Sequence, residues 1–309
     1  MLEIRNLRKT YGDLVAVRDL SFTLEPGDIL GFIGTNGAGK TTTIRMVSTL
    51  LEPTSGTASI NGFDIQRDPM GVRRLIGYMP DFFGLYDDVK AWEYLDFFAN
   101  IYGIPSKQRP SVIDNVLELT DLTTKRDAFV QSLSRGMQQR LCLARCLVHD
   151  PALLLLDEPA SGLDPRARAE LRELILELGR MGKIVIVSSH ILPELAGFCN
   201  KVGVIERGEL LAFGGVGEVV RSVQPHRKVH ARIVGELDGV VATAMACAGV
   251  SDARIDNSGS VVIDLQGSHE DQAELLKTLL AKGHRIFEFR EEAVNLEDVF
   301  LKLTRGDVN

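Results

Sequence analysis

The eight residues Gly34, Thr35, Asn36, Gly37, Ala38, Gly39, Lys40 and Thr41 have the types and the order needed to hold a phosphate. They fit G-x-x-x-x-G-K-[ST] and sit where that pattern has physical meaning, between an apolar run, ILGFI, and a helical pattern, TTTIRMV. Glycines let the backbone wrap close to phosphate oxygens, and consecutive N–H groups at a helix start attract the anion. Lys40 then reaches the β/γ-phosphates, and the Thr41 hydroxyl is a ligand for Mg²⁺. A second stretch supplies acids. PALLLLDEP, residues 151–159, is an apolar run too short for most helices and suited to a strand buried on both faces. Ligands of open parallel sheets bind outside the carboxyl ends of the strands, so Asp157 and Glu158 stand where a substrate sits. Beside the phosphate loop, Asp157 reads as the carboxylate that holds Mg²⁺ through water, and Glu158 as the base that orients and polarises an attacking water. Taken alone, the two acids are equally an acidic turn closing a core strand.

These motifs leave kinase, GTPase and transport ATPase open. In SLSRGMQQRLCLARCLVHDP, residues 132–151, Ser134 and Gly136 begin a helix whose later apolar residues fall on one face, and a hydroxyl and a glycine at a helix start make a second anion site. The chain has no second phosphate loop for that site to complete. SGLDP, residues 161–165, follows the acids as a turn. IVIVSSHIL, residues 184–192, is a further apolar strand ending in His190, which reaches a γ-phosphate or the water if its strand neighbours LLLLD.

The elements around these motifs bound the fold. With 309 residues, 45% of them hydrophobic and 25% charged, the chain buries a real core and is long enough for two domains. The 35 Lys and Arg against 42 Asp and Glu, net −7, speak against a nucleic-acid surface, and no nucleic-acid partner is expected. MLEIRNLRKTYGD lacks the apolar stretch of a signal peptide, and no run approaches membrane-spanning length, so the chain is expected to be soluble and cytoplasmic. Cys142, Cys146, Cys199 and Cys247 show no CxxC pairing, and the first two read as small core residues of a helix in a reduced compartment. LEIRNL, VRDLSFTL and GTASING alternate like strands of an antiparallel sheet, whereas DVKAWEYLDFFANIYGI through VIDNVLELTDL is helical by its apolar spacing.

Arriving together in this order, the motifs resemble those of the ATP-binding subunit of an ATP-binding cassette (ABC) transporter, over residues 1–222. The resemblance implies an α/β fold: a P-loop ABC ATPase domain with a parallel core sheet, an antiparallel β subdomain and a helical subdomain at about 82–148. It implies that Tyr11 stacks on adenine, that residues 34–42, Thr42 included, form the Walker A loop, and that LSRGM is the signature. It makes Ser161 to Asp164 the D-loop, Asp157 and Glu158 Walker B with its catalytic glutamate, and His190 the switch histidine. ATP and Mg²⁺ are the implied cofactors. Arg135 and Met137 stand where the family's commonest signature has glycine and glutamine. Asp81, in IGYMPDFFGLYDDV, stands where the family carries the Q-loop glutamine, and is a candidate Mg²⁺ ligand. The helical region's surface in this family receives a membrane permease; Trp92, Tyr94, Phe97 and Phe98 are expected to belong mostly to its core.

Residues 223–309 read as a smaller accessory domain with strands at VHARIVG, ARID, SVVIDLQ and RIFEFR and helices at LDGVVATAMACAG, EDQAELLKTLLAKG and NLEDVFLKLT. That β-α-β-β-α-β order is the ferredoxin-like split βαβ. His226, His230, His269 and His284 are scattered through it and read as surface residues. Its ending is similar to those of ATPases serving multidrug, antibiotic, sodium and lipid-linked exporters. One phosphate loop and one signature per chain imply a dimer, a second copy of this subunit being expected, closing on two ATP and driving a separate integral-membrane permease at the inner face of the cell membrane. A soluble cassette ATPase of the DNA-repair or translation type is the competing class, without the tandem cassettes, coiled-coil insertion or zinc module those usually carry.

Overall fold

The computed structural model describes residues 1–292 apart from 83, 85, 87, 191–194, 196, 224, 225 and 236; the NLEDVFLKLT segment lies outside the described residues. Two compact units divide the chain, Met1–Val216 and the remainder from Gly217. The elements run β1 (Leu2–Tyr11), β2 (Leu14–Leu24), β3 (Ile29–Ile33), α1 (Lys40–Val47), β4 (Ser55–Ile60), β5 (Phe63–Asp64), α2 (Pro69–Leu75), β6 (Ile76–Met79), α3 (Ala91–Ile101), α4 (Arg109–Leu119), α5 (Arg135–Leu147), β7 (Leu153–Asp157), α6 (Pro165–Arg180), β8 (Ile184–Ser189), β9 (Lys201–Glu206) and β10 (Glu209–Gly215). Then come α7 (Val216–Val223), β11 (His226–Ile233), α8 (Asp238–Met245), β12 (Val250–Ile255), β13 (Val261–Gln266), α9 (His269–Ala281) and β14 (Ile286–Glu291).

In the first unit the central sheet has the order β10-β9-β3-β8-β7-β6. β9, β3, β8, β7 and β6 are parallel, and β10 closes the edge antiparallel to β9. Every residue of β3, β7 and β8 is buried, which is why these strands read as unbroken apolar runs rather than as alternation. A second, antiparallel sheet has the order β2-β1-β4-β5. Its inward residues Leu2, Leu7, Val17, Phe22 and Leu24 share one hydrophobic cluster with Leu30, Phe32, Leu153, Leu155 and Ile186 of the parallel sheet. Packing against a common core therefore fixes the antiparallel sheet beside the loop that follows β3.

Helices α3, α4 and α5 pack on one another in the region expected to be helical. Of its four aromatics only Tyr94 is fully buried; Trp92 and Phe98 are half-buried and Phe97 is exposed. The expectation that most of this cluster is core is thus corrected. Phe97 meets Tyr86 and Phe98 edge-on at 5.9 and 5.2 Å, so the rings form an aromatic ridge with one buried root. Cys142 and Cys146 are buried on α5, as small core residues should be.

The second unit holds an antiparallel sheet of order β12-β13-β11-β14 with α8 and α9. Its own core is built from Val229, Ala231, Val240, Ala244, Ile263, Leu265, Leu275 and Leu279. Ser268 and Asp271 form a capping box at the start of α9. Two of its histidines are not plain surface residues. His284 is half-buried with a ring nitrogen 2.9 Å from the Thr243 hydroxyl, and His230 pairs with Glu292 at 3.3 Å.

Candidate functional site

The loop between β3 and α1 is braced from behind before it can hold anything in front. A Cβ on Gly34 would run into the carbonyl of Ile205 in β9, and one on Gly39, at φ +110°, would lie 2.6 Å from the Ala16 carbonyl oxygen in β2. The Gly208 N–H, from the β9–β10 turn, donates to the Ala38 carbonyl at 2.9 Å. Glycine is needed at 34 and 39 because two other strands come this close. Lys40 opens α1 and is 5% exposed, with Nζ donating to the Gly34 carbonyl at 2.7 Å and the Thr35 carbonyl at 3.3 Å. The side chain thus folds back over its own loop. Burial pushes the Lys40 ammonium below its ordinary range, and the Glu158 carboxylate 3.6 Å away draws it partly back.

At the carboxyl end of β7, Asp157 is 1% exposed. Its Oδ1 accepts from the Thr41 hydroxyl at 3.2 Å and from the Ser188 hydroxyl at 2.6 Å. The register explains the second bond, since Asp157 lies opposite Ser188 in the β7–β8 ladder. Glu158 follows in the left-handed region, φ +51°, its N–H donating to the Ser188 Oγ at 2.9 Å. That turn of the backbone swings its carboxylate out of the strand direction. Oε1 faces Lys40 at 3.6 Å, and Oε2 lies 2.9 Å from His190 Nδ1. The condition attached to His190 is met: β8 neighbours β7, and the imidazole stands at the end of the neighbouring strand. Lys40, Thr41, Asp157, Glu158 and His190 are therefore one connected group.

Ser134, Gly136 and Asp164 form a second group. Ser134 is exposed and caps α5, its Oγ accepting from the Met137 N–H at 3.4 Å, while Asp164 caps α6 by accepting from the Ala167 N–H at 2.8 Å. Gly136, Gly162 and Asp164 line one open hollow with Ser134, and a Cβ on Gly136 would touch Ala167 at 3.4 Å. Among the described residues no hydrogen bond or ion pair joins these side chains to Lys40 or Thr41. Tyr11 ends β1, is 49% exposed, and has the Lys9 ammonium 5.3 Å from its ring. Its ladder partner is Leu14, three residues along β2 from Val17, which packs against Gly39, so the ring stands on the order of 10 Å along the strand from the phosphate loop. Asp81 is exposed two residues beyond Met79, whose ladder partner is Leu156. It thus lies at the same sheet end as Asp157, although no hydrogen bond joins it to Thr41 or Asp157 among the described residues.

Two side chains escaped the sequence reading. Ser188 is fully buried and bonds both the Asp157 carboxylate and the Glu158 amide. Its signal was available, since a polar pair, Ser188-Ser189, ends an otherwise apolar strand. Gln139, on α5, donates through Nε2 to the carbonyl of Pro159. Nothing in its sequence surroundings distinguished it from Gln138.

A glycine loop between a buried strand and a helix, facing paired acids at the end of a nearby parallel strand, defines a domain of the phosphate-loop nucleotide-binding class. Residues 17–161 match the family described as ABC transporter. The chain is 30% identical over 306 residues to the linearmycin resistance ATP-binding protein LnrL of Bacillus subtilis (strain 168), covering 98% of each chain. It is 36% identical over 308 residues to the Nod factor export ATP-binding protein I of Cupriavidus metallidurans, covering 98% of this chain and 97% of that one. A solved ATP-binding subunit of an ABC transporter superposes with a TM-score of 0.65 at 30% identity, over 72% of this chain and 92% of that one. The chain belongs to the ABC transporter family as one of its ATP-binding, ATP-hydrolysing subunits. Among the described residues no helix is long and apolar enough to cross a membrane.

Proposed function

We propose that this chain is the ATP-hydrolysing engine of an exporter, working as a head-to-tail pair of copies docked on a membrane permease at the inner face of the cell membrane. The observation that carries the chemistry is the Glu158 carboxylate, held between Lys40 and His190 at the mouth of the phosphate loop. In this reading the loop from Gly34 to Thr42 receives the phosphates and Lys40 turns from its own carbonyls to the β/γ-oxygens. Glu158 takes a proton from the attacking water, and His190 holds the Glu158 carboxylate and the γ-phosphate in place. Thr41 Oγ1 and Asp157 Oδ1, 3.2 Å apart, are hard oxygen donors of the kind Mg²⁺ selects and would hold it there. When bound, the ion offsets charge on the phosphate oxygens.

The separation of the two groups of residues supports the dimer. Ser134 and Gly136 lie at an exposed helix start, detached from the phosphate loop of their own chain, so a second copy supplies the ATP they cover and Asp164 lies at the same seam. Tyr11, exposed at the end of β1, offers its ring to adenine. Export as the direction rests on likeness along nearly the whole chain to proteins described by Nod factor export and linearmycin resistance. For the second unit, the strand order β12-β13-β11-β14 supports a ferredoxin-like accessory domain that serves dimer support or regulation. A rate of phosphate release per chain that rises with protein concentration and then levels tests the paired reading. A rate independent of concentration, with a single chain in sedimentation under Mg-ATP, overturns it.

Asp81 enters this reading as an outer Mg²⁺ ligand acting through water. Asp81→Ala should raise severalfold the Mg²⁺ needed for half-maximal hydrolysis, while Asp81→Gln should hydrolyse ATP at least as fast as the parent. Titrating the ATPase rate against Mg²⁺ checks this, and three superimposable curves would leave Asp81 no part in the site.

A further inference from the structure

Glu158 adopts a backbone conformation that L side chains rarely take, φ +51°, and something must hold it there. On its amino side the answer is the Ser188 hydroxyl, which accepts the Glu158 N–H at 2.9 Å. On its carboxyl side stands Pro159, whose ring fixes its own φ, so that only the two ψ torsions of Glu158 and Pro159 separate Glu158 from the Pro159 carbonyl oxygen. That carbonyl accepts from Nε2 of Gln139. Gln139 is 3% exposed, and its Oε1 is buried without a hydrogen-bond partner among the described residues. An unpaired buried acceptor is costly, so an amide at this position is not there for packing alone.

Gln139 also lies one turn beyond Arg135 and Gly136 at the start of α5, which meets the same loop again at Ser161, Gly162 and Leu163. Arg135 Nη2 donates to the Ser161 carbonyl at 3.4 Å, and its guanidinium lies 2.6 Å from where a Cβ on Gly162 would stand. The helix that begins with Ser134 thus grips the loop that leaves Glu158 at two points.

We infer that Gln139 is a positioning residue for hydrolysis: by holding the Pro159 carbonyl it aims the Glu158 carboxylate between Lys40 and His190, and it ties that aim to the placement of α5. The inference rests on the assignment of Glu158 as the base. It gives the exposed start of α5 a route to the site in its own chain, because a shift of the helix is a shift of the Pro159 carbonyl.

The test compares Gln139→Leu and Gln139→Met, which keep the volume and lose the amide, in the parent and in a Glu158→Gln background, using the full chain. Each single variant should lower kcat by roughly 10- to 100-fold, as a misplaced catalytic group does, with ATP affinity near the parental value and Tm lowered by no more than about 10 °C, the cost of the orphaned Pro159 carbonyl. In the Glu158→Gln background the same change should lower single-turnover phosphate release no further, since there is no base left to misplace. A parental kcat in both variants overturns the inference, as does an equal fold-loss in the two backgrounds, or a fall in ATP affinity and Tm that matches the fall in rate. If Glu158→Gln itself turns over at the parental rate, the base assignment fails and takes this inference with it; if only the Gln139 variants are silent, the base assignment stands.

Discussion

Glu158→Gln should bind ATP with near-parental affinity and lose roughly 10²–10⁴-fold in steady-state hydrolysis, the contribution of a positioned general base. The amide keeps the length and the hydrogen-bonding reach of the carboxylate toward His190, now 2.9 Å from Nδ1, and leaves Asp157 and Thr41 untouched. What it removes is the proton acceptor and the negative charge facing Lys40 at 3.6 Å. With binding intact and hydrolysis blocked, ATP should hold two chains together. Size-exclusion chromatography of this variant in saturating Mg-ATP should therefore show a dimer. A monomer under those conditions would count against the two-chain seam, and a parental rate would count against Glu158 as the base.

Lys40→Ala is the second large effect and acts one step earlier. Nζ is nearly sequestered from water and, among the described residues, meets the Gly34 and Thr35 carbonyls and the Glu158 carboxylate; under the proposed function it exchanges the carbonyls for phosphate oxygens. Hydrogen bonds to charged groups contribute about 1.5–3 kcal/mol, so losing them should weaken ATP binding by roughly 10- to 150-fold. Hydrolysis at cellular ATP concentrations should fall with it. Calorimetric titration of ATP, with a melting curve to show that the variant is folded, separates loss of the phosphate contact from loss of structure. Equal affinities in parent and variant would return Lys40 to a purely structural role, bracing its own loop.

How far the sequence goes depends on whether a function is written in neighbouring residues or in distant ones. The strand–glycine loop–helix unit was legible because G-x-x-x-x-G-K-[ST] is local: its glycines, lysine and helix start lie within eight positions, and its shape needs only the strand and helix on either side. The buried strands β3, β7 and β8 were legible for a similar reason, since a strand covered on both faces has no polar face to show. The acids at 157 and 158 followed from ending such a strand.

Other features came only with the tertiary structure. That Gly34 and Gly39 must be glycine because Ile205 of β9 and Ala16 of β2, both distant in sequence, press on the loop is a matter of which strands become neighbours. Ser188 gained its place from the β7–β8 register, which puts it opposite Asp157; a slip of one residue would have pointed it at the other face. Gln139 and Pro159 are twenty positions apart and meet only because α5 packs against the loop after β7. The aromatic residues of α3 were expected to be mostly core because rings are apolar, but burial is decided by what lies opposite each face of the helix. Local pattern determined the chemistry this chain carries; long-range packing decided where Glu158 points, because a side chain's aim is set by contacts whose closure no short stretch of sequence records.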